Sequence, residues 1–171
     1  MGYETIRRLG RMALLLFIQI VIVNNLRIFG YATPLIIGYM IICFHCNTPR
    51  ITLIIWGFVV GFLFDIFSDT MGMASASMTL LAFVQPDILS FFMPKDETGL
   101  FCPSMKNMQT GNYVLYVLSC MGVLHLVFYF LEAFSLSNFL ITLMSMIVST
   151  LVASVIIVLL ELIVNHEQKK Y

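Results

Sequence analysis

The chain has 171 residues, of which 60% are hydrophobic and only 11% charged, and its formal net charge is zero. A soluble domain carries roughly a quarter charged residues, so this composition excludes an ordinary soluble fold and predicts one membrane domain over 1–171. Zero net charge also provides no overall attraction to nucleic acid, and the lipid bilayer becomes the expected medium.

In chain order, Arg7, Arg8 and Arg11 precede an apolar run from Met12 to Val23. A basic and then apolar start matches a signal peptide, but Asn24-Asn25-Leu26-Arg27 follows where a small-residue cleavage site would stand. The run is therefore expected as a retained first span over 10–29. Gly30 to Pro34 breaks the chain, and a second span is expected over 32–48, ending at Asn47-Thr48-Pro49-Arg50. Its apolar stretch is short, so a re-entrant segment is the competing reading. Within it, Cys43-Phe44-His45-Cys46 resembles a metal-ligand cluster. On a helix His45 points away from both cysteines and no second ligand pair is near, so no metal site is expected. Cys43, Cys46, Cys102 and Cys120 are expected as free thiols.

The third and fourth spans, 51–67 and 73–93, form the centre of the chain. Gly57 and Gly61 make a GxxxG pair, which admits another helix at close range because neither residue carries a Cβ. Asp65 lies four residues further on, so all three share one helical face. Ser68 follows, and Asp69 and Gly72 supply turn chemistry: the aspartate side chain can cap a helix start, and glycine accepts positive φ. Gln85-Pro86-Asp87 interrupts the fourth span. Either a kinked helix continues to Met93, or the span hands over to an interfacial segment from Ile88 to Met93.

Pro94 to Gly111 is the one substantial loop, with Phe101 and Met105 apolar enough to dock on a surface. The fifth span, 112–133, carries His125 and Glu132, seven residues apart and hence on one face. The sixth, 138–164, repeats Ser145, Ser149 and Ala153 every four residues, a small-residue packing face, and carries Glu161 near its end.

Six alternating spans with a cytoplasmic N-terminus place Arg7, Arg8, Arg11, Arg50, Lys95, Lys106, Lys169 and Lys170 inside and Arg27 alone outside. That asymmetry predicts both termini in the cytoplasm. Among the ionisable residues within spans, Asp65, His125 and Glu132 are the functional candidates, and burial of such groups is costly unless they are bonded. A contact of Asp65 with His125 or Glu132 would suit a proton or ion relay. The plainer expectation is interhelical bonding, with Asp65 held by serine, threonine or a capping backbone. The sequence contains no HExxH, no Gly-x-Ser-x-Gly and no phosphate-cradling glycine loop, so no catalytic residue, metal or cofactor is expected.

The stretch GFVVGFLFDIFSDTMGMASASMTLLAF, with Gly57, Gly61, Asp65, Ser68 and Gly72, resembles the rod shape-determining protein MreD family. Pro34, Pro49-Arg50 and the spacing from His125 to Glu132 extend the resemblance; Phe62, where the family often has leucine, and the long loop from Pro94 to Gly111 depart from it. The resemblance implies an all-α integral membrane protein. Its fold would be a six-transmembrane-helix bundle like the S subunits of energy-coupling-factor transporters. It also implies a non-enzymatic scaffold of the bacterial inner membrane, within the complex that elongates the peptidoglycan wall and sets cell shape. The implied partner is MreC, with MreB, RodA and a class B penicillin-binding protein in the same complex. The likeness to S subunits provides the alternative, a substrate-binding membrane subunit of a vitamin-type transporter. A third reading is a membrane-anchored assembly protein unrelated to cell shape.

Overall fold

The computed structural model describes residues 33–93, 103–133 and 139–168, together with Gln19. All regular structure among these residues is helical. A 3-10 turn at Ile36–Gly38 leads into the one-turn helix α1, Tyr39–Ile42. Four long helices follow: α2 (Arg50–Ser68), α3 (Met73–Phe92), α4 (Thr110–Glu132) and α5 (Phe139–Gln168). Each of the four is long and apolar enough to cross a membrane. The first expected span, 10–29, lies outside the described residues apart from Gln19.

Helices α2, α3, α4 and α5 pack in sequence order, each along the next. The turn between α2 and α3 explains why they form a hairpin. Asp69 ends α2 with φ 55° and ψ 41°, in the left-handed region that aspartate tolerates better than most side chains. The Thr70 N–H reaches back to the Asp65 carbonyl at 3.3 Å, a 6→1 bond of the kind that closes helix ends. Gly72, at φ +84°, opens α3. The first turn of α3 also ties its own hydroxyls to backbone: Ser75 Oγ donates to Gly72 O at 2.8 Å and Ser77 Oγ to Met73 O at 2.7 Å.

Of the two readings of the fourth span, the structure has the continuous one: α3 runs through Pro86 to Phe92. Proline there removes one intrahelical N–H donor, and the rest of the ladder persists on both sides. At the far end of the hairpin, Arg50 and Asp87 form an exposed ion pair, which contributes little in such a setting.

The second expected span needs correction. No continuous helix covers the described part of 32–48: beyond the seven residues from Ile36 to Ile42, the chain is irregular at Thr33–Leu35 and turns at Cys43–Pro49. The segment nonetheless keeps one direction. Thr33 meets Tyr129, Leu35 meets His125, Gly38 lies against Met121 and Leu124, and Ile42 meets Tyr116. It therefore runs antiparallel to α4 from Tyr129 to Tyr116, about 20 Å at 1.5 Å per residue. Leu35, Ile36, Ile37, Met40, Ile41 and Ile42 are all buried. The segment is thus enclosed by protein, the condition under which non-helical backbone is tolerated at membrane depth.

Helix α4 is central. Tyr113, Tyr116, Val117, Cys120, Met121, Leu124, His125, Phe128 and Tyr129 are buried at helical spacing, facing the broken segment, α3 and α5. Outward-facing residues are large and apolar on every long helix, among them Ile55, Phe62, Phe83, Phe130 and Leu151, as a lipid-facing surface requires.

Candidate functional site

Two polar constellations lie within the apolar bundle. The first is the junction of α2 and α3. The chain comes so close at the two glycines that a Cβ built on Gly57 would lie 2.7 Å from the Met78 carbonyl oxygen, and one on Gly61 would lie 2.5 Å from Ser75 Cα. The GxxxG face is therefore spent on the chain's own next helix.

That close approach brings the buried Asp65 side chain to the start of α3. Its Oδ1 accepts the Ala74 N–H at 3.0 Å and the Thr70 hydroxyl, and its Oδ2 accepts the Ser75 N–H at 2.8 Å. Ala74 and Ser75 are the second and third residues of α3, whose N–H groups an N-cap side chain ordinarily satisfies. Gly72 occupies the cap position and has no side chain to offer; the carboxylate of the preceding helix takes over the task. A negative charge there also complements the helix dipole. Of the two expectations for Asp65, the plainer describes the observed bonds. Ser68 Oγ is enclosed beside this turn and has no hydrogen-bond partner among the described residues.

The second constellation is a column of side chains that bond the broken segment. His125, fully buried, accepts the Leu35 N–H at Nε2 at 3.1 Å. That bond leaves Nδ1 to carry the proton and donate to the Met121 carbonyl at 2.9 Å, so the imidazole is neutral with a defined tautomer. Tyr129 OH accepts the Thr33 N–H at 3.0 Å and lies 2.7 Å from Ser149 Oγ. Gln19 bonds two backbone groups: Nε2 donates to Pro34 O and Oε1 accepts the Ile36 N–H, both at 2.9 Å. Tyr116 OH donates to Ile42 O at 3.2 Å and accepts from Gln85 Nε2 at 2.7 Å. Tyr39 OH donates to the buried Glu161 Oε2 at 2.6 Å. Backbone groups that a regular helix would pair internally are here paired by side chains from α4 and by Gln19, as the low dielectric demands.

The sequence reading grouped Asp65, Ser68, His125 and Glu132 as buried polar residues, and the structure separates them. Asp65 bonds the α3 start and His125 bonds Leu35, so the direct Asp65–His125 contact that a relay would use is not formed. Glu132 is exposed at the last residue of α4. Ser145, Ser149 and Ala153 do share a face, but it is buried and extended by Ile157 and Glu161. Neither small-residue face is open to a partner. Met105 packs against the core instead of projecting from the loop, and Phe101 and Cys102 lie outside the described residues.

Around C-F-H-C, residues Cys43–Thr48 are turns, so the helical argument about the direction of His45 does not apply. Cys43, Cys46 and Cys120 are not joined in disulfides. Among the described residues no three His, Cys, Asp or Glu side chains converge as metal ligands would.

Sequence reasoning passed over Gln19, Thr33, Tyr39, Tyr116 and Tyr129, and noted Gln85 and Glu161 without assigning either a bonding role. Gln19 and Gln85 had a readable signal: each is an isolated amide in an apolar run, where an unbonded amide is costly.

The fold and its polar column define a multi-pass helical membrane protein. No family model matches the chain, nor does any curated protein or solved structure.

Proposed function

We propose that this chain is a non-enzymatic scaffold of the bacterial inner membrane, one that binds MreC in the wall-elongation complex and so supports peptidoglycan synthesis and cell shape. MreB, RodA and a class B penicillin-binding protein are the wider partners in this reading. The observation that carries it is the α2–α3 junction. The residues that resemble the MreD pattern act there as one unit: Gly57 and Gly61 admit α3, Asp65 caps it, and Gly72 makes the turn. A motif with this role builds a rigid platform.

The proposal includes six crossings and cytoplasmic termini, in an arrangement like that of S subunits. Its support is the path of the broken segment, which leads from the end of α4 near Tyr129 to the end near Arg50 and Asp87. An alternating path needs such a crossing there. With both small-residue faces buried, the partner helix meets the outer apolar faces of the bundle. The test is depletion in the native host with recovery of complexes in mild detergent. Cells should widen or round, and MreC should co-purify with the wild-type chain.

One observation favours the vitamin-transporter alternative. Transporters build substrate sites from unwound helices at membrane depth, and Thr33–Leu35 is non-helical backbone beside His125 and Tyr129. Unchanged cell shape with loss of vitamin uptake, and recovery of an ATPase pair instead of MreC, would decide for that reading.

A further inference from the structure

The turn between α2 and α3 exposes apolar side chains where a solvent-exposed loop would carry polar ones. Met71 is 96% exposed, Phe67 64% and Ile66 61%. Met71 also holds a φ of 26°, a backbone region that L-residues avoid. Glycine or asparagine would be the ordinary choice at such a position in water.

Helix lengths place this turn relative to a bilayer. Helices α2 and α3 have 19 and 20 residues, hence about 28 and 30 Å. The hydrocarbon core is itself about 30 Å thick. The Arg50–Asp87 ion pair marks the other end of the hairpin and belongs at a polar interface. With that pair at one boundary, the turn lies about 27 Å away along α2 from Arg50 and about 21 Å away along α3 from Asp87, so the hairpin does not project past the opposite boundary. By contrast, α5 has 30 residues, about 45 Å, and extends beyond the core.

The polar groups of the turn are compatible with this depth. Both Asp65 carboxylate oxygens accept hydrogen bonds, and the Thr70 hydroxyl donates one of them. The Thr70 and Met73 N–H groups are bonded within the turn. Asp69 is the exposed charge of the turn, and an interface admits one.

We propose that the α2–α3 turn is an interfacial anchor, with Met71 and Phe67 inserted into the lipid leaflet opposite Arg50. The lipid-facing row of α2, which includes Ile55, Phe62 and Ile66, continues into the turn without a polar break until Asp69. The inference rests on helix length and exposure and is independent of the cellular role.

The experiment uses the full chain, with native cysteines replaced, carrying Met71→Cys or, separately, Phe67→Cys. Each is labelled with a polarity-sensitive fluorophore and reconstituted in phosphatidylcholine vesicles. Asn107→Cys, at an exposed loop position, provides the aqueous reference. Emission from position 71 should be blue-shifted from that reference, quenched by lipids bearing a shallow quencher and protected from aqueous iodide. Water-like emission with free iodide quenching overturns the anchor. Shielding that appears in native membranes but is lost in pure lipid vesicles also overturns it, because a protein would then be the occupant. Should Met71→Cys fail to fold, the label at position 67 decides by the same criteria.

Discussion

His125 Nε2 accepts the backbone N–H of Leu35 at 3.1 Å, ninety residues away in sequence and fully enclosed. The bond joins the middle helix of the bundle to a stretch of chain that is not helical. It explains how an ionisable side chain sits in an apolar interior without a charged partner: it is present as an acceptor. His125→Leu conserves much of the volume and removes the acceptor. The Leu35 N–H is then left unpaired, at a cost of about 1–3 kcal/mol. Unfolding in detergent should show that loss. A leucine variant as stable as the wild type would mean that the bond contributes nothing.

The glycines should rank by what a new methyl group meets. At Gly61 the obstacle is Ser75 Cα and at Gly57 the Met78 carbonyl, both backbone; at Gly38 it is the terminal Met121 Cε and Leu124 Cδ2. Side-chain ends move aside and helix backbone does not. Gly61→Ala and Gly57→Ala should each be destabilising by overpacking of about 1–3 kcal/mol, reduced by the alanine helix preference of up to about 1 kcal/mol. Gly38→Ala should be the mildest of the three. Thermal unfolding of the three purified variants gives the order directly.

Asp65→Asn retains one carbonyl oxygen, while the carboxylate uses both of its oxygens on α3. Asparagine should therefore satisfy one of the two α3 N–H groups, and Asp65→Leu neither. Stability should fall from Asp to Asn to Leu, the full loss being about 0.5–2 kcal/mol as for other helix caps. Equal stability of the Asn and Leu variants would contradict the capping role. A normally assembled Asn variant without cellular function would require a role for the charge itself.

Ser149 is fully buried and lies 2.7 Å from the Tyr129 hydroxyl. A leucine there must displace α4 or α5, so Ser149→Leu should lower the amount of folded protein. Any loss of partner recovery should follow that decrease in proportion. Ser149→Ala removes only the hydroxyl contact and should cost about 1 kcal/mol, with partner recovery intact. Selective loss of a partner with a normal protein level would place the docking face on α5 after all.

Composition alone pointed to a membrane protein, because a chain so poor in charge cannot cover itself against water, and the long apolar runs pointed to helical spans. The hairpin was also legible. Gly57, Gly61 and Asp65 fall on one face by helical periodicity, and Asp69 and Gly72 carry their turn chemistry locally. These are short-range facts, set within four or five residues of each other. The tertiary structure decided everything that depended on which backbone groups remain unpaired. The segment after Pro34 reads as an apolar span, and apolarity does not separate a continuous helix from a broken one. What permits the break is the supply of acceptors and donors from Gln19, Tyr116, His125 and Tyr129, distant residues whose directions emerge only on packing. For the same reason the sequence could identify small-residue faces at Gly57/Gly61 and Ser145/Ser149/Ala153 but not their occupants. A face without side chains accepts any close neighbour, and here the fold fills both with the chain's own helices.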